Sequence, residues 1–150
     1  MTDYNILSKQ LEAFAKEDRR WVPLMSNASA LLWESLQDIN WAGFYTVDHN
    51  QLVLGPFQGR PACIHIPKDH GVCGTAWAMD KTLVVPDVHK FPGHIACDSA
   101  SNSEIVIPLH KYGSVRAVLD IDSPSFDRFS EEDLQGLTGF AKTLELLLEW

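Results

Sequence analysis

The spacing of apolar residues changes twice along the sequence, from helical to strand-like and back to helical. This pattern constrains the fold more than any other feature. Apolar side chains recur at helical spacing over residues 4–18 and 27–36, and again in a segment that begins at Ser130. Residues 21–23, which end in proline, are expected to close the first helix. Between these segments the apolar residues come in short runs separated by turn residues, which is typical of strands. We therefore expect helices at both ends of the chain and a sheet in the middle.

Six short runs are candidate strands, and several are joined by turns short enough for hairpins. They cover residues 41–47, 51–54, 62–66, 82–85, 105–110 and 114–122. Gly55 and Pro56 are expected to end the second strand, and residues 72–79 are expected to form a short helix against the sheet. The predicted fold class is α+β: a single domain over residues 1–150, with a mainly antiparallel sheet of about six strands flanked by N-terminal and C-terminal helices.

Composition argues against several classes of protein. With 45% hydrophobic and 21% charged residues, the 150-residue chain is expected to bury one core without help from a disulfide or a metal. No run approaches a membrane span and the N-terminus does not resemble a secretory signal, so we expect a cytoplasmic protein with mostly reduced cysteines and no membrane partner. A formal net charge of −8 argues against nucleic acid as a partner. The sequence leaves the oligomeric state open, with a homodimer as one option.

Three cysteines in one small domain could be packing residues, metal ligands or redox-active thiols. Between Cys63, Cys73 and Cys97 lie 9 and 23 residues, so no pair has the short spacing of a structural zinc site and we expect no metal. A mixed Cys/His zinc site stays an alternative, because the cysteines could converge in space with His65, His70, His89 and His94. Cys63 and Cys73 could be core residues, since free cysteine is often buried. Cys97 lies in a long polar loop, residues 88–103, where a functional thiol is the better interpretation.

A set of acidic residues accompanies the thiols. Asp120 and Asp122 alternate along a candidate strand, so both side chains point to the same face of the sheet. Glu104 directly precedes the apolar run 105–107. The three carboxylates could face solvent, or they could together bind an ammonium group or keep a shared proton for acid catalysis. Trp41 and Tyr45 also share one strand face, where they are either core residues or part of a binding site.

The chain resembles the GAF-domain free methionine-(R)-sulfoxide reductases over essentially its full length. The matching segments are residues 40–45, 54–59, 62–64, 71–76, 94–104 and 119–123. All three cysteines stand at the spacing that this family uses, which is not expected of a generic GAF sensor domain. The resemblance implies a single GAF-like catalytic domain that converts free L-methionine-(R)-S-oxide to L-methionine, with a role under oxidative stress.

The resemblance also implies roles for individual residues. Cys97 would be the nucleophile that becomes a sulfenic acid, Cys63 its main resolving partner in an intramolecular disulfide, and Cys73 an auxiliary thiol. Thioredoxin would act as the reductant, and no cofactor is implied. The residues implied to bind and protonate the substrate are Trp41, Tyr45, Glu104, Asp120 and Asp122, with Glu104 or Asp122 as the proton donor.

One alternative is a non-catalytic GAF domain that binds and senses a small molecule. Such a sensor is expected to carry an output domain, whereas this sequence ends in a candidate helix at Trp150. The two interpretations differ in what they require of the cysteines, because a sensor has no need of a redox-active thiol.

Overall fold

The computed structural model describes residues 1–95 and 97–150. Its four helices in these ranges are α1 (Tyr4–Glu17), α2 (Trp21–Ser35), α3 (Gly71–Met79) and α4 (Glu131–Leu147). The six strands are β1 (Trp41–Asp48), β2 (Gln51–Gly59), β3 (His65–Pro67), β4 (Leu83–Val85), β5 (Ser103–Lys111) and β6 (Ser114–Ser123). A short 3-10 turn, Val88–Lys90, opens the long segment between β4 and β5. Among the described residues, no helix combines the length and apolar character needed to cross a membrane.

The six strands form one sheet in the order β3-β2-β1-β6-β5-β4, and every neighbouring pair is antiparallel. The hairpins β1–β2 and β5–β6 lie side by side because β1 also pairs with β6. This confirms the predicted α+β class and the antiparallel sheet of six strands with helices at both ends of the chain.

The two faces of the sheet are covered differently. We call the side packed against α1, α2 and α4 the helix face; its core includes Phe44, Leu119 and Ile121 from the strands and Phe140 from α4. The cavity face is the opposite side, covered by α3 and by the segment that leads to β5, and there the strands present residues such as Val118. Successive strand residues alternate between the two faces, so one strand serves both.

The second helix begins earlier than predicted. The expectation that residues 21–23 close the first helix is wrong, because α2 begins at Trp21 rather than at residue 27. Pro23 lies in the first turn of α2, where the backbone N–H that proline lacks would have no partner within the helix. The break between the helices lies at Asp18, which has an extended backbone and accepts hydrogen bonds from the backbone and side chain of Arg20.

Two strand boundaries also differ from prediction. Gly55 and Pro56 do not end β2; they lie in a bulge opposite Phe44, where the pairing register with β1 shifts, so proline is tolerated there. The predicted strand over residues 62–66 is shorter and later, since β3 begins only at His65 and pairs with the first part of β2. Cys63 therefore lies in irregular backbone beside the edge of the sheet.

Candidate active site

A disulfide joins two distant parts of the chain at one end of the cavity face. Cys63, just before β3, is bonded to Cys97, which lies in the segment between β4 and β5, and their Cα atoms are 5.5 Å apart. These are the two cysteines that the family resemblance pairs. Tyr45 fixes the Cys63 side, because its hydroxyl donates a hydrogen bond to the Cys63 carbonyl oxygen over 3.0 Å.

A cavity of about 40 Å³ lies beside this disulfide. The predicted site residues that line it are Trp41, Tyr45, Cys73, Cys97, Glu104, Asp120 and Asp122. Cys63 does not line it and reaches the site only through its bond to Cys97. The structure therefore brings all of the predicted site residues to one place, while their chemical roles stay predictions.

Aromatic rings form one wall of the cavity. The rings of Trp41 and Tyr45 are stacked with centroids 5.7 Å apart, and both residues are about 2% exposed. Phe57 of β2 stacks on Trp41 with centroids 5.1 Å apart, and the Trp41 indole N–H donates to the Arg60 carbonyl oxygen. The Trp41 ring is therefore held on two sides and at its polar edge, which gives the cavity a rigid apolar wall.

Three carboxyl groups lie beside the aromatic rings on the same face of the sheet, where Asp122 is the cross-strand partner of Trp41. Glu104 of β5 is directly across from Asp122 of β6, and Asp120 points to the same face two residues earlier. Glu104 and Asp120 are 7% and 5% exposed. The Oδ1 atoms of Asp120 and Asp122 are buried and have no hydrogen-bond partner among the described residues. Such groups are costly to bury without a proton or a cation, so this carboxylate cluster requires one.

Burial shifts the protonation of this cluster. Desolvation, reinforced by the charge of Asp120, raises the pKa of both Glu104 and Asp122 well above the ordinary carboxyl range. Desolvation also raises the pKa of Asp120, although hydrogen bonds with Glu104 and Asp122 act in the opposite direction. Burial therefore favours a protonated carboxyl within the cluster, and such a group can donate its proton.

Cys73 belongs to the carboxylate cluster rather than to the disulfide. Its buried thiol lies 3.9 Å from Glu104 Oε2, and desolvation followed by the charge of Asp120 raises its pKa well above the usual thiol value. Donor atoms of Cys73, Glu104 and Asp120 lie within 4.8 Å of one another, close enough to share a cation. This set contains one thiol and two carboxylates, which differs from the Cys/His mixture considered as a zinc alternative.

Several residues at the site were not identified from the sequence. Phe57 supports Trp41, while Asn40 donates hydrogen bonds to Asp98 and Ser101 beside Cys97. His94, considered only as a metal ligand, lines the cavity, and desolvation lowers its pKa. Asn40 directly precedes Trp41 and Asp98 directly follows Cys97 in the sequence, but nothing in their spacing indicates that they touch.

Comparison with known proteins places the chain among related sequences and structures. Residues 24–149 match the family model described as GAF domain. Protein YtsP of Bacillus subtilis is 55% identical over 148 residues, covering 97% of this chain and 91% of the relative. The free methionine-R-sulfoxide reductase of Escherichia coli is 50% identical over 145 residues, covering 97% of this chain and 88% of the relative.

Solved structures of an enzyme from Staphylococcus aureus match the fold closely. The structure of its fRMsr in the reduced form has a TM-score of 0.95 and 48% sequence identity, covering 99% of this chain and 97% of that chain. The complex of the same protein with substrate has a TM-score of 0.93 with the same identity and coverage.

Proposed function

Because the chain belongs to the GAF-domain family of free methionine-R-sulfoxide reductases, which are oxidoreductases, we propose that it reduces free L-methionine-(R)-S-oxide to L-methionine. One observation carries the proposal: the Cys63–Cys97 disulfide lies beside a cavity lined by three carboxyl groups, two of which belong to buried residues. Sulfoxide reduction by a thiol needs both a nucleophilic sulfur and a nearby acid, and this cavity contains both.

The carboxylate cluster supports binding of a free amino acid. A free methionine sulfoxide carries an α-ammonium group, which the same residue within a protein lacks. The buried oxygens of Asp120 and Asp122 that have no partner among the described residues are suited to accept hydrogen bonds from that ammonium. The Trp41 ring, which lies beside these acids, would contact the S-methyl group, and Tyr45 would hold the ring in place.

The first chemical step is reduction of the sulfoxide. The Cys97 thiolate attacks the sulfoxide sulfur while Glu104 or Asp122 protonates its oxygen; burial raises the pKa of both acids, which favours the protonated form that this step needs. The hydroxyl then moves from the substrate sulfur to the Cys97 sulfur as the substrate S–O bond breaks, and the transient bond between the two sulfurs breaks as methionine leaves. Methionine is reduced by two electrons, and the Cys97 sulfur is oxidised by two electrons to a sulfenic acid.

The second step closes the disulfide. The Cys63 thiol attacks the Cys97 sulfur, the S–O bond of the sulfenic acid breaks, and water leaves with the proton of the thiol. The bond between Cys63 and Cys97 in the structure is the bond that this step would form, which supports the proposed pairing. Cys73 remains an auxiliary thiol in this scheme, because its raised pKa leaves little of the reactive thiolate and its sulfur faces Glu104.

A dithiol of the thioredoxin type completes the cycle by thiol–disulfide exchange. While Cys97 is bonded to Cys63 it has no free thiolate to attack a sulfoxide. The reductant therefore has to open the disulfide before the next substrate can react. Reduction of substrate and recovery of the enzyme are then two separate half-reactions.

A single assay tests the proposal. Each epimer of methionine sulfoxide, free and within a peptide, is supplied to the protein under anaerobic conditions with a thioredoxin system. We expect turnover of the free (R)-epimer only, and no turnover by Cys97→Ser. Turnover by Cys97→Ser at the wild-type rate contradicts the proposal. Tight binding of the sulfoxide without its consumption, retained when all three cysteines are serine, would favour the sensor alternative.

A further inference from the structure

We infer that Asn40 is a positioning residue for Cys97, and this inference rests on the thiol chemistry proposed above. The Asn40 side-chain nitrogen donates two hydrogen bonds to the segment that carries Cys97. One goes to Asp98 Oδ2 over 3.1 Å and the other to Ser101 Oγ over 3.0 Å. Because Asp98 directly follows Cys97, a displacement of Asp98 also displaces the reactive sulfur.

Asn40 is itself fixed to the strand that carries the acids. Its backbone N–H donates to the Asp122 carbonyl oxygen over 2.9 Å, and the next residue, Trp41, pairs with Asp122 in the sheet. One residue thus connects the Cys97 segment to the strands that carry the aromatic ring and the acids of the cavity. Its position sets the distance between the attacking sulfur and the acid that protonates the substrate, and reaction rates depend steeply on that distance.

The turn that Asn40 holds is compact. Asp98 Oδ1 accepts a hydrogen bond from the Ala100 backbone N–H over 2.9 Å, and the Asp98 carbonyl oxygen accepts one from the Ser101 N–H over 3.2 Å. Ser101 is only 7% exposed. Residues 98–101 therefore form a turn with internal hydrogen bonds, and the Asn40 amide donates a hydrogen bond to the first and to the last residue of that turn.

The orientation of the Asn40 amide follows from the chemistry of its partner. An ionised carboxylate only accepts hydrogen bonds, so the amide nitrogen has to face Asp98. The amide oxygen is then left buried without a partner among the described residues. A buried oxygen without a partner lowers stability, so this arrangement favours a role in positioning Cys97 over a role in stabilising the fold.

The test exchanges donor and acceptor. Asn40→Asp keeps the shape of the side chain but sets a carboxylate against that of Asp98, whereas the double variant Asn40→Asp/Asp98→Asn restores one amide–carboxylate hydrogen bond with the roles reversed. Methionine formation is followed in a single turnover of the reduced protein at saturating free methionine-(R)-sulfoxide. We expect at least a tenfold lower rate in the single variant, a substrate Kd within threefold of wild type, and recovery to within threefold of the wild-type rate in the double variant.

Asn27→Asp is the matched control, because Asn27 is exposed on α2 and the same substitution there should leave the rate unchanged. A wild-type rate in Asn40→Asp, or no recovery in the double variant, overturns the inference. Should Asn40→Asp fail to fold, Asn40→Ala removes both donors without adding charge, and a wild-type rate in that variant overturns the inference equally. Failure of the wild-type protein to reduce the substrate would instead refute the proposed function.

Discussion

The two faces of the sheet bury different kinds of side chain, and burial affects stability on one face and ionisation on the other. On the helix face, apolar side chains such as Phe44, Leu119 and Phe140 are completely buried, and their removal from water stabilises the fold. On the cavity face, burial falls on Glu104 and Asp120, where it opposes ionisation instead. Because strand residues alternate, β6 contributes Leu119 to one face and Asp120 to the other. Neighbouring residues of one strand should therefore differ in whether they support stability or reactivity.

The largest expected effect is on activity at the cavity face. We expect Glu104→Gln to lower kcat/KM for free methionine-(R)-sulfoxide by about 10²–10³-fold, because the amide keeps the shape of the side chain but cannot supply a proton. The melting temperature should not fall below that of wild type, since no buried apolar contact is lost and one buried ionisable group is removed. Steady-state kinetics and thermal unfolding of the same preparation check this. A large fall in stability with unchanged kcat/KM would contradict the assignment of this face to chemistry.

The reverse pattern is expected at the helix face. Leu119→Ala should lower the free energy of unfolding by about 2–5 kcal/mol, because it leaves a cavity in a core where Leu119 is fully buried. At a temperature where the variant is folded, its kcat/KM should remain within threefold of wild type, since Leu119 points away from the cavity. Denaturant unfolding and kinetics together separate the two effects. Loss of activity without loss of stability would show that the two faces are not independent.

The pH dependence of stability should have opposite signs at the two faces. The raised pKa of Glu104 and Asp122 means that the folded state binds more protons than the unfolded chain above the ordinary carboxyl pKa. Their contribution to stability is therefore lost as pH rises through the raised values, and we expect lower stability at pH 8 than at pH 5. Glu104→Gln should reduce that loss, as measured by urea unfolding at the two pH values.

Asp133, at the start of α4, provides the contrast. Burial acts to raise its pKa, but hydrogen bonds from Tyr4 and Ser130 and the charge of Arg128 lower it overall. Its contribution is therefore present above the ordinary carboxyl pKa and is lost as pH falls through the lowered value. We expect Asp133→Asn to lower the free energy of unfolding at pH 7. The difference in unfolding free energy between pH 5 and pH 8 should be the same in this variant as in wild type. If Asp133→Asn altered that difference as much as Glu104→Gln does, the two acids would not differ in the way described.

The smallest expected effect is at the N-terminus of α4. Ser130 and Asp133 form a capping box, in which each side chain accepts a hydrogen bond from the backbone N–H of the other residue. Ser130→Ala should lower stability by about 1 kcal/mol, or roughly 2–4 °C in melting temperature, with unchanged kcat/KM. Thermal unfolding measures this. Ser114→Ala is the control, because Ser114 lies at an exposed strand position and caps no helix.

The sequence predicted those features that depend on local pattern. The alternation that sets Asp120 and Asp122 on one face and the Ser130 start of the last helix are both present. The boundaries were wrong where tertiary context tolerates proline, at Pro23 in the first turn of α2 and at Pro56 in the bulge opposite Phe44.

The site was less accessible to sequence reasoning because its parts are far apart along the chain. Cys63 and Cys97 are 34 residues apart, and their spacing alone left packing, metal binding and redox chemistry open. Only the family resemblance paired them. The contact of Asn40 with Asp98 spans 58 residues and has no local signature, so it emerged only from the structure.

A single turnover tests the central claim most directly. The fully reduced protein is mixed anaerobically with excess free methionine-(R)-sulfoxide and no reductant, the methionine released is counted, and the disulfide formed is mapped by mass spectrometry. We predict one methionine per protein molecule and a bond between Cys63 and Cys97, with no methionine from Cys97→Ser. Release of methionine by Cys97→Ser at the wild-type rate, or a dominant bond between Cys73 and Cys97, would contradict the account.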